Sequence, residues 1–153
     1  MTIQFHFRAA SQDDLDPIIA LLADDALGKT RERVATPTDP AYVEAFQAIS
    51  ADPNQLLAVV EDEDGLAGCL QISFIPGLSR LGMWRGQIEG VRIASRLRGE
   101  GLGRQMLEWA IEQCRVRDCQ LVQLTSDKSR SDALRFYESL GFVASHEGFK
   151  LAL

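Results

Sequence analysis

A glycine-rich turn is the part of the sequence with the clearest chemical potential. Residues 98–104 read Arg-Gly-Glu-Gly-Leu-Gly-Arg, between an apolar strand pattern and an amphipathic helix pattern. Glycine lets a backbone approach a ligand closely, and the first turn of a helix presents unpaired N–H groups at the positive end of its dipole. The pattern is typical of a phosphate site, although the glycine spacing alone fits an ordinary strand-to-helix turn equally well.

Two other nucleotide-binding motifs fit the turn less well. A dinucleotide-binding turn follows the first strand of its domain and carries an acidic residue ~20 positions later. Here the turn comes late in the chain, after elements that do not suit that fold. The ATP-type loop requires Gly-Lys-Ser/Thr, which the sequence lacks.

The turn resembles a family signature in both composition and order. Arg98-x-x-Gly101-x-Gly103 after a strand is similar to the Arg/Gln-x-x-Gly-x-Gly/Ala motif of the GNAT superfamily of acyl-CoA N-acyltransferases. About thirty residues downstream, residues 133–142 resemble the second signature of that superfamily, a helix that carries Tyr137 and ends in Gly-Phe. The two motifs and the elements before them cover nearly the whole chain.

The resemblance implies acetyl-CoA as the acyl-donating co-substrate and an amine as the acceptor. Backbone N–H groups of the turn would cradle the pyrophosphate, and the edge of the preceding strand would stabilise the oxyanion. The arginines of the turn add charge or are solvated surface residues. The cofactor-binding residues implied are Val91, Arg92, Ile93, Arg98, Gly99, Glu100, Gly101, Leu102, Gly103 and Arg104.

The resemblance also implies two catalytic residues. Tyr137 stands where the family's tyrosine protonates the departing thiolate, and a phenol of pKa near ~10 is a competent acid for that step; the alternative is a core aromatic beside Phe136. Glu89, which we expect on the strand face of Val91 and Ile93, would relay a proton from the incoming ammonium through water. A solvent-facing or ion-paired Glu89 is the alternative.

One position departs from the family pattern. The family often has Asn seven residues before the tyrosine, where it contacts the pantetheine arm, and here that residue is Arg130. We count Arg130 among the cofactor-binding residues because its charge would suit a phosphate of CoA. Trp84 and Arg85, expected in a loop, would line the acceptor pocket or cover the edge of the core.

The elements that position these residues predict a mixed α/β fold. Apolar periodicity predicts the order β-α-α-β-β-β-α-β-α-β, and Ser11 with Asp14 resembles a capping box. The family implies a twisted mixed sheet of six to seven strands and about four helices, with two splayed parallel strands, 87–93 and 119–125, in the middle. The strands are expected at 3–8, 56–60, 66–75, 87–93, 119–125 and within 142–153, and the helices at 15–22, 41–49, from 102, and 131–140, with 24–40 irregular.

Composition limits the classes of protein. The 153 residues, 46% hydrophobic and 25% charged, predict one globular domain over 1–153. No apolar run approaches the ~20 residues of a membrane span and no signal peptide is visible, so we expect a cytoplasmic protein. The net charge of −6 argues against nucleic-acid binding. Three cysteines without ligand spacing predict free thiols and no metal site.

The acceptor is less constrained than the reaction. Acidic residues at 24, 25 and 62–64 favour a cationic small molecule, whereas charge runs are usually solvated faces. Protein N-termini and lysines remain alternatives. A catalytically silent acyl-CoA-binding regulatory module on the same fold and a protein that dimerises through its amphipathic helices are the competing hypotheses, and a homodimer fits either class.

Overall fold

The computed structural model describes residues 2–153 and divides the chain into two compact units. The first unit runs to Gln123 and contains the whole sheet, and the second covers residues from Leu124 to Leu153. The glycine turn and Glu89 belong to the first unit, and Tyr137 and Arg130 to the second. Each unit is described by itself.

The first unit is built on a five-stranded mixed sheet in which the strands follow sequence order. Strands β1 to β4 pair antiparallel, and β4 pairs parallel with β5. This confirms the mixed α/β class and the parallel relation of the two strands around the glycine turn, with fewer strands than expected. The strands are β1 His6–Ala9, β2 Gln55–Asp62, β3 Gly65–Pro76, β4 Trp84–Ile93 and β5 Leu121–Gln123.

Along the sequence, helices lie before, between and after the strands. The predicted helices at 15–22, 41–49, from 102 and at 131–140 are all present, and residues 24–40, expected to be irregular, contain one further short helix. At the start of that helix, the Asp25 carboxylate accepts a hydrogen bond from the Gly28 N–H. The helices are α1 Leu15–Ala23, α2 Gly28–Arg31, α3 Pro40–Ala51, α4 Ser79–Gly82, α5 Leu102–Val116 and α6 Ser131–Ser139, with short 3-10 turns at Gln12–Asp14 and Ser95–Leu97.

The capping box expected before α1 is present, and its Asp14 also forms an ion pair with Arg8. The Asp14 carboxylate accepts from the Ser11 N–H at 2.7 Å and from both terminal nitrogens of Arg8 at 2.7 and 2.9 Å. Arg8 also donates to Glu61 in β2. These hydrogen bonds hold the pKa of Asp14 down to about 2, chiefly through Arg8. The start of α1 is thereby attached to the β1–β2 edge of the sheet.

The two sheet faces bury different partners. On one face, Ile18 of α1 packs with Val59 and Cys69. The other face lies against α5, whose buried residues are Leu102, Met106, Leu107, Ala110 and Cys114. Glycine permits this close approach: a Cβ at Gly68 would lie 2.9 Å from the Met106 sulfur, and one at Gly86 would overlap the Cys114 sulfur. The α5 face therefore requires glycine at two strand positions.

Three sequence expectations about the sheet are wrong. Trp84 and Arg85 do not lie in a loop but begin β4, because Arg85 pairs with Ile75 on one side and Leu121 on the other. The strand expected at 119–125 is only three residues long and is the last strand of the sheet rather than a central one. Residues 142–153 form no strand. Their apolar alternation is a typical strand pattern, but a strand also needs a neighbour to pair with.

Within residues 2–153 no helix is long and apolar enough to cross a membrane. In the same part of the chain, no three His, Cys, Asp or Glu side chains are grouped to hold a metal ion. The three cysteines are free, with Cys69 and Cys114 buried. Burial raises the pKa of Cys69 to about 12 and that of Cys114 to about 11, so both remain protonated thiols at neutral pH.

Candidate active site

A bulge in β4 is the feature that organises the candidate site. Glu89 pairs with Gln71 and Arg92 with Cys69, so that Gly90 and Val91 together stand opposite the single residue Leu70. Gly90 has a positive φ of 65°, which glycine adopts without a steric penalty. A bulge with glycine in this conformation bends a strand and increases its twist.

The bulge lies beyond the end of the β4–β5 ladder. The parallel pairing covers Arg85, Gly86 and Gln87 of β4 and stops there, at Gln123 of β5. Of the next six residues of β4, four pair with β3, and the other two, Gly90 and Val91, form the bulge. A parallel neighbour that ends early and a bulge that bends β4 leave a strand edge whose backbone groups have no β5 partner, and this edge includes Val91, Arg92 and Ile93.

The strand faces differ from the sequence expectation. Ile93 pairs with Gly68, whose face lies against α5, whereas Glu89 pairs with Gln71 on the α1 face. Glu89 therefore does not share a face with Ile93. The extra residue of the bulge reverses the alternation, so that Glu89 and Arg92 are on one face although three residues apart. Glu89 is exposed.

The α1 face of the sheet is polar next to Glu89. The Gln123 side-chain amide donates to the side-chain oxygen (Oε1) of Gln87 at 2.9 Å, which links β4 and β5. In β3, Gln71 and Ser73 both donate to the Gln55 side chain, at 2.9 and 3.0 Å. Neutral hydrogen-bonding groups thus cover this face from β2 to β5, beside an exposed carboxylate.

The glycine turn has two left-handed backbone positions and leads directly into a helix. Gly99 and Gly101 have positive φ angles of 83° and 81°, and α5 begins at the next residue, Leu102. Leu102 is buried and therefore presents only its backbone to a ligand, whereas Glu100 and Gly101 are exposed. The first N–H groups of the fifteen-residue helix α5, which include that of Gly103, stand at this turn.

The arginines around the turn have carboxylate partners. Arg92 lies 3.0 Å from the carboxylate of Asp25, with both side chains mostly buried. Arg98 donates to the backbone oxygen of Asp24 at 2.8 Å and lies 3.6 Å from its carboxylate. Arg104 lies 3.5 Å from Glu108 along α5, at an exposed position. Arg92 is thus directed to the α1–α2 connection, and Arg98 and Arg104 are at the surface of the turn.

The second unit carries the expected tyrosine on α6. The Tyr137 ring lies 5.3 Å from the ring of Phe136 and 6.0 Å from that of Phe142. The backbone oxygen of Tyr137 accepts from the N–H groups of Leu140 and Phe142, which closes the helix end at Gly141. Arg130 is the residue immediately before α6 and is exposed.

Several residues of the site escaped the sequence analysis. The bulge has a visible signal, because a glycine inside a strand pattern often marks one, and Gly90 is such a glycine. The ion pairs of Asp24 and Asp25 have no such signal, because no local pattern in the sequence connects these acids to arginines 74 and 67 residues away. The Gln87–Gln123 pair depends on parallel register, which sequence spacing does not supply.

One cavity of the first unit lies away from this site. It is an open groove of about 590 Å³ beside α1, lined mainly by small apolar side chains together with Asp24, Ser95 and Arg96. It borders the connection between β4 and the glycine turn. Among the groove residues, only Asp24 contacts an arginine of the predicted site.

Comparison with known proteins agrees with this geometry. Residues 20–142 match the acetyltransferase (GNAT) family. The chain is 29% identical to the aminoalkylphosphonate N-acetyltransferase of Salmonella typhimurium over 146 residues, which cover 95% of this chain and 90% of that protein.

Solved structures give the same fold. A transcriptional regulator from Bacillus halodurans C-125 is 48% identical, with a TM-score of 0.95 over 98% of this chain and 100% of that one. A predicted acetyltransferase from Clostridium acetobutylicum, solved with acetyl-CoA, shares the fold at 18% identity, with a TM-score of 0.75 over 97% of this chain and 96% of the other. The chain belongs to the GNAT acetyltransferase family and is an acyl-CoA-dependent N-acetyltransferase.

Proposed function

We propose that this enzyme transfers the acetyl group of acetyl-CoA directly to the primary amine of a small molecule, with residues 1–153 acting as one catalytic domain. The observation that carries the proposal is the bulged end of β4, which exposes a strand edge and leads into the glycine turn within eight residues. The pantetheine arm lies along that edge, and the N–H groups at the start of α5 receive the pyrophosphate.

The first half of the reaction is attack of the amine on the thioester carbonyl. An amine is nucleophilic only after it loses a proton, and Glu89 accepts that proton through a water molecule. The side chain is exposed on the polar α1 face of β4, where an acceptor and its water can reach it. The developing oxyanion is held by an N–H of the strand edge at Val91 to Ile93.

The second half is collapse of the tetrahedral intermediate. The nitrogen of the intermediate releases its second proton to solvent, and Glu89 returns the first one there. The C–S bond breaks, its electron pair stays on sulfur, and the Tyr137 hydroxyl gives its proton to the thiolate. The products are the N-acetylated acceptor and CoA, and the phenolate of Tyr137 regains a proton from solvent. A phenol and a thiol have pKa values close enough for this transfer to proceed readily.

The acceptor assigned here is a small primary amine with an anionic group. Four of the five acids that favoured a cationic acceptor contact arginines: Asp24 with Arg98, Asp25 with Arg92, and Asp62 and Asp64 with Arg96. Three arginines offset most of the negative charge of these four acids, which weakens the argument for a cationic acceptor. The relative that acts on aminoalkylphosphonates makes 2-aminoethylphosphonate the first compound to assay.

Arg85 gives this acceptor class a candidate contact. It lies on the same face of β4 as Gln87 and Glu89, since its partner Ile75 alternates with Ser73 and Gln71. Its Nε is buried and donates no hydrogen bond within the described chain. A buried guanidinium N–H without a partner is costly, and an anionic ligand supplies the missing acceptor.

The test is an acetyl-transfer assay with purified protein. We would follow CoA thiol release and confirm the N-acetyl product by mass spectrometry, with 2-aminoethylphosphonate, spermidine, an amino acid and a lysine peptide as acceptors. Turnover of the phosphonate above all others, and its loss in Arg85→Met, supports the proposal. Preference for spermidine or the peptide overturns the acceptor class alone. Tight CoA binding with no turnover of any amine favours a silent regulatory module.

A further inference from the structure

The connection between β4 and the glycine turn is tied to the β2–β3 hairpin by one arginine. Arg96 lies in the 3-10 turn Ser95–Leu97, and both of its terminal nitrogens donate to the carboxylate of Asp62, at 2.7 and 2.8 Å. Two parallel N–H···O bonds of this kind fix orientation as well as distance. Asp62 and Arg96 are 34 positions apart in the sequence, so the pair fixes a long-range relation.

Asp62 is itself held in place. Its side chain is only 5% exposed, and it also accepts the Asp64 N–H at 2.9 Å across the hairpin turn. The hydrogen bonds from Arg96 hold the pKa of Asp62 below its usual value. The carboxylate therefore acts as a fixed point on the hairpin, and it remains ionised at neutral pH.

A second contact joins the same two segments. The Ala94 N–H, at the beginning of the connection, donates to the Ala67 oxygen of β3 at 2.8 Å. Leu97, one residue after Arg96, is 5% exposed and adds an apolar anchor. Ala94 is thus held by a backbone hydrogen bond, Arg96 by an ion pair and Leu97 by burial. The exposed glycine turn begins directly after these residues.

We propose that Asp62 and Arg96 are positioning residues for the CoA diphosphate. They hold the connection in shape before the ligand arrives, so that the N–H groups of Gly99 to Gly103 do not have to be ordered during binding. Ordering a flexible segment on binding lowers affinity, and fixing it beforehand removes that cost. This inference rests on the proposed cofactor site at the glycine turn.

The rival role for Arg96 is direct contact with a phosphate, and the two roles predict opposite effects of one substitution. Asn at position 62 keeps an oxygen for the Asp64 N–H but turns an NH2 group toward Arg96. If Arg96 positions the turn, Asp62→Asn weakens CoA binding. If Arg96 binds phosphate in competition with Asp62, the same substitution releases it and strengthens binding.

The experiment is calorimetric titration of the full chain with CoA, together with thermal unfolding. We expect Asp62→Asn and Arg96→Gln each to raise the Kd for CoA about threefold to tenfold, in the range of a bidentate ion pair. Arg96→Lys should lie between Arg96→Gln and the wild type, and the double variant should be no weaker than either single one. The kcat at saturating acetyl-CoA should stay within about twofold. Glu112→Gln, which removes an exposed partner of Arg115, is the matched control and should bind CoA like wild type.

The outcomes separate the two proposals. A lowered Tm with unchanged CoA affinity in Asp62→Asn means a purely structural pair, and tighter binding means a phosphate-binding Arg96; either result overturns the inference. If Asp62→Asn does not fold, Asp62→Ser takes its place, because it also removes the carboxylate from Arg96 and the two roles again predict opposite changes in CoA affinity. Wild-type protein that binds no CoA overturns the proposed cofactor site itself and the inference with it.

Discussion

Glu89 and Arg92 lie on the same face of β4 although they are three positions apart along the strand. In a regular strand this spacing would place them on opposite faces. The extra residue of the bulge at Gly90 and Val91 puts both side chains on the α1 face. The strand bends at the bulge and continues toward the glycine turn. Arg92 on that face is engaged by Asp25, so its charge is compensated near Glu89.

The role of Glu89 predicts a specific pH dependence. Replacing it with Gln removes the proton acceptor while the shape is kept, and kcat/KM at neutral pH should fall on the order of 10²-fold, the lower end of general base catalysis. Raising the pH should partly restore the rate, because more of the acceptor is then free amine. The pH–rate profiles of both proteins measure this. Profiles of identical shape would rule out Glu89 as the base, and Glu112→Gln should behave like wild type.

The glycine turn predicts an effect on CoA binding through backbone conformation. Gly101 has a φ of 81° and an added Cβ there would meet no atom within 4 Å, so Ala at this position strains only the backbone. The strain is about 1–2 kcal/mol, and CoA affinity should fall if the turn relaxes to another shape. Gly82→Ala imposes similar strain at φ 72°, in the β3–β4 connection, and is the control. Calorimetry should show weaker CoA binding for Gly101→Ala only; equal loss in both would point to general destabilisation.

The contact between Gly86 and Cys114 predicts a rescue. A methyl group at position 86 would overlap the Cys114 sulfur, and overpacking of this kind destabilises by about 1–3 kcal/mol. Cys114→Ala removes the sulfur and makes room for the methyl group. Urea unfolding should therefore show that Gly86→Ala with Cys114→Ala is more stable than Gly86→Ala alone. Additive losses in the double variant would show that the sulfur is not the obstacle.

Periodicity predicted most of the elements, because burial on one side imposes a 3.6 or 2.0 repeat that is visible in sequence. Helices α1, α3, α5 and α6 and the β2–β3 hairpin all lie where apolar spacing and turn residues placed them. The two family motifs supplied the rest of the prediction. They located the strand, the glycine turn and the tyrosine helix without any knowledge of their contacts.

The features that periodicity missed all depend on distant partners. Whether Arg92, Arg96 and Arg98 bind a ligand or an aspartate is decided by tertiary proximity, and the three aspartates are 34 to 74 positions away. Strand register also depends on distant partners. Counting alternation along the sequence assumes that β4 has no bulge, and the one-residue bulge places Glu89 and Ile93 on opposite faces. Residues 142–153 show the converse, a strand pattern without a strand.

Asp14 predicts a change of stability in acid. Arg8 lowers the pKa of Asp14 from 3.8 to about 2, so the folded state holds the ionised form more strongly than the unfolded chain does. The resulting stability is complete above about pH 4 and is lost as the pH falls toward 2. Asp14→Asn should lower the free energy of unfolding by about 1–3 kcal/mol at pH 7 and flatten its decline between pH 4 and 2. Urea titrations at pH 7, 4 and 3 measure the free energy of unfolding, and Asp13→Asn, at the exposed position before Asp14, is the control. A free energy of unfolding that declines in parallel in Asp14→Asn and wild type would contradict the prediction.

Substitution of Tyr137 distinguishes a general acid from a packing residue. If its hydroxyl protonates the thiolate, it acts as the C–S bond breaks and has almost no effect on the bound ground state. Tyr137→Phe should therefore lower kcat about 10²–10⁴-fold, or roughly 3–5 kcal/mol, with little change in the KM for acetyl-CoA. Phe keeps the ring and its contacts with Phe136 and Phe142, so the Tm should change little. Phe136→Leu is the matched control. It alters the same aromatic cluster, and it should lower the Tm while kcat changes little. A burst experiment should first establish that chemistry limits turnover. Unchanged kcat in Tyr137→Phe under that condition would assign the proton to another group or to water and leave Tyr137 a packing residue.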